Sequence, residues 1–397
     1  MKKILIFLLF ASLFYSCNKS QNLDNDSIKF WHFWSEPHQV KVLDSLINEF
    51  TKQTGIKIEV TQLSWNNGKS KLIAAFNSET PPDVLELGSD WVAQFSASNI
   101  LAEFKSNELD NFIDFSKEPS MWKNNYYALP WIVDTRVLFV NMDILKKNNI
   151  DSIPNSWEEI IKISSKITDK ENQIYSIGVN GPDKNRLYKK AITYIWSSDA
   201  DWELNQINSK ENEYALELYK KSAENGIVEI QRNLDRMFIQ GKIAFTISGA
   251  WLINMLKKDN PKLNYKLIEI PSTNKSKGIS FAGGEYLAVS KSSKKLLEAK
   301  KFAKWLCDGK NTIEFCKKIP EGGFPADKNY FKDDFFKSNP EKMVFANQLL
   351  NSKMTPVHPK WLEIQDILEE TYERVLYNYS SPKDALKLAK RKMAVID

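Results

Sequence analysis

Glycine is scarce, 14 of 397 residues, against a usual share of about 7%. A backbone cradle for phosphate has little to be made from, and neither GxGxxG nor a Walker A lysine loop occurs. Histidine and cysteine are rarer still, three of each. They form no HExxH, no CxxC and no metal-spaced cluster, and GxSxG is absent too. His32 and His38 are the only close pair, with Glu36 the one nearby carboxylate, so neither a metal nor a cofactor is expected. Carboxylates are abundant, and counting alone does not exclude a glycosidase pair. None, however, sits in a recognisable acid or nucleophile context, and the lack of every strong catalytic signature favours binding over catalysis. No apolar run approaches the ~20 residues of a membrane span, which excludes a multispanning protein. Lys+Arg 55 against Asp+Glu 50 leaves a scattered excess of +5, so no nucleic-acid partner is expected.

What is present in quantity is aromatic: 12 Trp, 14 Tyr and 22 Phe. Such a chain does not stay disordered, and its length suits two large lobes. Met1-Lys2-Lys3, the apolar run Ile4 to Tyr15, and Ser16-Cys17 make a signal peptide over 1–16. A cysteine directly after the small residue resembles a lipoprotein signal, with Phe14-Tyr15-Ser16-Cys17 as lipobox and Cys17 as the lipidated residue. Residues 17–27 are polar and read as a tether. Cys307 and Cys316 flank Gly309; they are either a disulfide across a bend or, as the plainer reading, two buried thiols.

Ile28 to Phe33 is a short β-rich run, Ile56, Ile58 and Val60 alternate as a strand, and Asp83 to Leu87 reads as a third strand after the Pro81-Pro82 break. Helical spacing separates them at Val40 to Phe50 and Leu72 to Phe76. The first ninety residues are thus β-α-β-α-β, which implies a mainly parallel sheet covered on both faces. Ser35-Glu36-Pro37 reads as the cap and first turn of the first helix. Extended runs follow at Tyr126 to Trp131 and Arg136 to Asn141, and strands at Tyr175 to Val179, Ile243 to Ile247, Tyr265 to Ile270 and Phe281 to Val289. Helices dominate from about residue 293 onwards, and no Gly/Ser or Pro linker separates two halves.

Sugars present apolar C–H faces and hydroxyl edges, so a sugar groove wants flat indoles beside carboxylates, amides or Arg. This sequence repeatedly places such pairs just after strand ends: Trp34-Ser35-Glu36, Trp65-Asn66-Asn67, Ser89-Asp90-Trp91, Trp131 with Asp134 and Arg136, and Gly249-Ala250-Trp251. For a single Trp the core is as good an explanation; the set favours a shared cleft.

The segments PPDVLELGSDWVAQFSASNILAEF, YYALPWIVDTRVLFVNMDIL, PNSWEEI, GKIAFTISGAW and SFAGGEYLAVSK resemble, in order, those of the extracellular solute-binding proteins of ABC importers, in the maltose-binding-protein-like, sugar-binding group. The resemblance covers almost all of the chain beyond the signal. It implies an α/β, two-lobe periplasmic-binding-protein-like fold with crossover hinge strands and C-terminal helices. The first lobe would take residues 28–131 and 270–323, the second 132–269 and 324–397. It implies ligand contacts from Trp34, Glu36, Asp90, Asp134, Arg136, Trp251, Glu285 and Trp361, with Trp65, Trp131 and Trp196 added from position. Some relatives have a basic residue where Trp91 stands. A carboxylate at Asp90 has an alternative use as cap of the next helix, and Glu285 with Arg136 an alternative as a fixed interlobe salt bridge.

The function so implied is capture of an extracytoplasmic carbohydrate, an oligosaccharide by expectation, by a monomer held to a bacterial membrane through its lipid, facing the periplasm or the exterior. The captured sugar passes to the permease subunits of an ABC importer. The alternatives are a non-sugar solute such as a polyol phosphate or a peptide, a secreted carbohydrate-active enzyme, or a sensor's partner. A phosphate ligand would want several cations near strand ends, and Arg136, Arg186 and Arg232 are the candidates seen. Replacing Cys17→Ala is expected to release the protein from the membrane fraction without unfolding it. Mature protein beginning well downstream of Cys17, with no lipid mass, would count against the anchor.

Overall fold

The computed structural model describes residues 26–183, 186–274, 276–319 and 321–396. The expected signal, Cys17 and most of the tether lie outside the described residues. The chain opens with β1 (Ile28–His32), helix Pro37–Thr54, β2 (Ile58–Gln62), helix Gly68–Asn77 and β3 (Val84–Gly88). β1 pairs in parallel with both β2 and β3, as the alternating pattern requires. The first helix buries Leu43, Ile47 and Phe50, and ends at Gly55, whose φ of 74° no β-carbon obstructs. Its cap is Glu36, one residue later than the sequence suggested: the Glu36 N–H donates to Gln39 Oε1 at 3.1 Å. The shift follows from Pro37, which fits the first helical position because it has no N–H to satisfy.

A small hairpin, β4 (Met121–Trp122) and β5 (Asn125–Tyr126), leads into β6 (Ala128–Thr135) and β7 (Val137–Asn141). Only Arg136 separates these two strands, yet they lie in different sheets. Next come β8 (Tyr175–Asn180), β9 (Ile227–Glu229), β10 (Ile243–Ser248) and β11 (Tyr265–Ile268), and the second sheet runs β11-β7-β10-β8-β9. The chain then returns to the first sheet with β12 (Ser280–Val289), β13 (Phe324–Pro325) and β14 (Ser352–Lys353). β12 inserts between β3 and β6, antiparallel to both; β13 pairs with β6, and β14 with β12. Both sheets are thus mixed, the first through β12 and the second through β7, which is antiparallel to β10 and β11; parallel pairing is kept among β1–β3, among β8–β10 and between β12 and β14. Helices Trp361–Leu376 and Pro382–Met393 close over the second lobe.

The division between lobes differs from the one expected. Residues 132–135 and 324–325 pair in the first sheet: Glu285 faces Ile132, Phe324 faces Val133, and both Ile132 and Val133 are fully buried there. The change of sheet falls at Arg136. Alternation across each strand distributes the core: Val137 and Phe139 enter one cluster while Leu138 and Val140 enter another on the opposite face.

Cys307 and Cys316 are separate, buried thiols. Cys307 Sγ lies 3.8 Å from Leu129 O, and Cys316 Sγ lies 3.5 Å from Gly322 O. Burial pushes both thiols up, which suppresses the reactive thiolate. A thiol reagent is therefore expected to label these two residues only after denaturation. Rapid labelling of the native protein, or a crosslinked pair found by mass spectrometry without reductant, would contradict this.

Candidate functional site

The two lobes meet at a seam built on Arg136. Held where the chain changes sheets, its guanidinium donates to Asp134 Oδ2 at 2.5 Å and to the Thr135 carbonyl at 3.0 Å. The same group lies 4.7 Å from the ring centre of Trp251 and 5.7 Å from that of Phe281, positions in which a cation is attracted to an aromatic face. Trp251 starts the helix Trp251–Asp259 just past β10. Gly249 makes room for the indole: a β-carbon there would come within 2.0 Å of it. The indole N–H donates to Asp235 Oδ2 at 2.8 Å, and Asp235 Oδ1 accepts from Gln231 at 2.7 Å and from Ser248 at 2.8 Å. Burial pushes the Asp235 carboxyl up, against the pull of these three donors. Trp251 is thus fixed in tilt and depth by a buried carboxylate that sequence reasoning did not single out.

The Trp65–Asp90 region forms the first lobe's side of the seam. Trp65 is 43% exposed and stacks on Phe33, ring centres 4.2 Å apart. Trp91 abuts both rings at 5.3–5.5 Å. Asp90 does not cap the next helix, whose cap position is Trp91. Its carboxylate tucks over Gly88, where a β-carbon would meet Oδ1 at 2.8 Å, and faces Lys189 of the second lobe at 3.4 Å. Arg186 of the second lobe reaches Asn66 at 3.2 Å. Arg232, in contrast, is exposed along its helix.

Glu285 stands mid-sheet on β12, between Gly88 and Ile132, at an irregularity in the strand register. The fixed salt bridge is Arg136 with Asp134, not with Glu285, which has no ion pair among the described residues. Burial, then the charges of Asp134 and Glu86, push the Glu285 carboxyl well up. Glu86, wholly buried on β3, accepts the Phe33 N–H at 2.8 Å through one oxygen and leaves the other unpaired.

Other expected contacts are placed elsewhere. Trp131 is fully buried, packed at 5.0 Å against Phe315 and edge-on to Trp34. Trp196 and Trp361 are 3% and 4% exposed in the second lobe's core. The Trp196 ring centre lies 5.8 Å from the Lys353 ammonium, and Trp361 packs edge-on against Tyr188. Trp34 is partly buried beside Trp131 and Phe315. Glu36 is an exposed helix cap. His32 is buried, with its imidazole pushed down to about 4 by desolvation, while His38 turns to Glu321 at 2.5 Å. The structure also adds Lys69, Lys189 and Lys190, which pattern reading passed over. The available signal was Lys189-Lys190 inside an otherwise apolar helix, Tyr188–Trp196.

Two α/β lobes, joined where strands cross between sheets and facing each other over indoles and carboxylates, define the class of two-lobe solute receptors. The chain belongs to the bacterial extracellular solute-binding protein family, whose model matches residues 45–344. It is 26% identical to the diacetylchitobiose binding protein DasA of Streptomyces coelicolor, over 86% of this chain and 83% of that one. Among solved structures it is similar to maltose-bound T. maritima MalE3, with a TM-score of 0.81 at 21% identity, covering 94% of this chain and all of that one. It is also similar to UgpB from Mycobacterium tuberculosis in complex with glycerophosphocholine, with a TM-score of 0.80 at 17% identity, covering 93% of this chain and 98% of that one.

The buried Glu86 carboxyl is pushed up to about 8 from 4.5 by desolvation. The native state therefore holds a proton between those values that the unfolded chain has released, so this stabilisation is present below about pH 4.5 and is lost as pH rises to about 8. Glu86→Gln should remove that dependence and raise stability above pH 8 by a few kcal/mol, on the order of 1.4 kcal/mol for each tenfold difference in proton affinity between the folded and unfolded chain. Urea unfolding at several pH values measures it; parallel pH profiles for both proteins would show that Glu86 does not titrate in this way.

Proposed function

We propose that this protein captures a carbohydrate between its lobes and delivers it to an ABC-type importer, without catalysing a reaction on it. The observation that carries the reading is Trp251: an indole at the lobe crossing, oriented by Asp235 and bordered by the Asp134–Arg136 pair. An aromatic face beside hydrogen-bonding polar groups is what a pyranose requires. Trp65, half-exposed and stacked beside Asp90, offers a similar pairing on the opposite lobe. DasA, whose name records a sugar ligand, matches over most of both chains. Within this reading Trp65, Asp90, Asp134, Arg136, Trp251 and Glu285 meet the ligand, and the lobes close on it by hinge motion. The protein acts as an exported monomer, anchored through a lipid on Cys17. A second reading, a phosphorylated polyol, draws support from the fold likeness to UgpB with its glycerophosphocholine and from the lysines at the seam.

A thermal-shift screen against mono- and oligosaccharides, with glycerol phosphate alongside, tests the proposal. A sugar at about a hundred times its Kd should stabilise the protein by about 2.7 kcal/mol, and chromatography of the mixture should find it unchanged. New products would make the protein an enzyme. A shift by glycerol phosphate alone would favour the polyol reading.

A further inference from the structure

Four cations converge on the seam. Lys69 comes from the helix Gly68–Asn77, Arg136 from the sheet crossing, and Lys189 and Lys190 from the helix Tyr188–Trp196. Phe281 links two of them, with the Lys189 ammonium 5.4 Å and the Arg136 guanidinium 5.7 Å from its ring centre. Four carboxylates stand against them, Asp90, Asp134, Asp183 and Asp235, but none accepts a hydrogen bond from Lys69 or Lys190 among the described residues. Asp134 is taken by Arg136 and Asp90 faces Lys189. Asp235 spends its oxygens on the neutral donors Gln231, Ser248 and Trp251.

Two ammonium groups are left with no hydrogen bond or ion pair among the described residues. The Lys69 ammonium is enclosed, 5.3 Å from the ring centre of Trp91. Lys190 is 4% exposed, its ammonium 5.9 Å from the ring centre of Trp251. Arg136 Nε is likewise buried and unpaired. Desolvation, with Arg136 next, pushes Lys190 down to about 7 against the pull of Asp235 and Asp183, and desolvation pushes Lys69 down to about 8 against the pull of Asp90. Glu285 and Glu86 are held towards their neutral forms. A buried ammonium without a hydrogen-bond acceptor is costly, and here each of the two lies beside an indole on the seam.

We propose that the saccharide is anionic: an oligosaccharide whose acidic groups, uronate carboxylates or sulfate esters, supply the charged acceptors that these cationic donors lack. One acidic group meets Lys190 and Arg136 beside Trp251, and another meets Lys69 beside Trp91. The inference rests on the carbohydrate reading above and narrows its substrate class.

Calorimetric titration of the full chain tests it. The probes are galactose- and glucose-configured trisaccharides, their uronate counterparts and their sulfated counterparts, with glycerol phosphate as an anion lacking a sugar ring. At least one acidic trisaccharide should bind about tenfold or more tightly than its neutral counterpart, the scale of one charge-assisted hydrogen bond. Added salt should shrink the advantage, and whether uronate or sulfate gives it identifies the acidic group. Lys190→Met should weaken that binding about tenfold while raising the melting temperature, because it replaces a buried ammonium that makes no hydrogen bond by an apolar side chain of similar length. Damage to the fold would lower both, and Lys69→Met, from the other lobe, then provides the same affinity test. Neutral trisaccharides binding as tightly as acidic ones would overturn this inference and leave the carbohydrate reading standing. Acidic affinity unchanged in both variants, or no acidic trisaccharide binding at all, would also overturn it. Glycerol phosphate binding with no trisaccharide would overturn both readings.

Discussion

The contact on which the arrangement depends is the ion pair of Arg136 with Asp134. Asp134 belongs to the last residues of β6 and Arg136 is the single residue between the two sheets. The pair therefore fixes the angle at which the chain leaves one lobe and enters the other. Its guanidinium lies beside Trp251, so a first-lobe carboxylate is coupled through one side chain to a second-lobe indole. Loss of either partner would leave the other partly buried and uncompensated, which costs more than the pair itself contributes. Asp235 performs the complementary task from below, holding the indole by its N–H. Position and tilt of the seam's aromatic surface are thus set by two carboxylates, one in each lobe.

A second tier of contacts connects the lobes away from that pair. Asp90 with Lys189 and Asn66 with Arg186 join the first lobe's loops to one helix of the second. Glu321 collects His38 and Gln39 from the first helix and Asn254 from the second lobe. All are polar and most are partly solvated, so each contributes modestly. Contacts of this kind separate at small cost. The apolar clusters lie within and beneath the sheets and keep each lobe rigid meanwhile.

Periodicity made most of the fold legible. The helices expected to dominate from about residue 293 onwards include Pro340–Leu350 and Trp361–Leu376, because amphipathic spacing is a local property. The lobe boundary was less legible: nothing in IVDTRV marks Arg136 as the crossing, since pairing partners 150 residues away decide it. Among the tryptophans, position after a strand did not separate Trp251 from Trp131. Trp131 is followed by strand residues that continue into a covered sheet, while Trp251 opens a helix at a sheet's end. The lysines of the seam were hidden for a different reason. Lys69 and Lys190 lie on separate helices, about 120 residues apart in the chain, and only the meeting of the lobes makes them neighbours of one surface.

The insertion of β12 between β3 and β6 also governs when the molecule can form. Residues 280–289 supply a central strand to a sheet whose other members are all complete by residue 135, except the short β13 and β14. Until that strand arrives, β3 and β6 each present an unpaired edge. Pairings this distant in sequence slow folding, because loop closure precedes the contacts that reward it. A chain threaded outward from its N-terminus thus remains pliable for most of its passage. The topology itself postpones compaction until nearly three quarters of the polypeptide has been delivered, which favours translocation in the unfolded state.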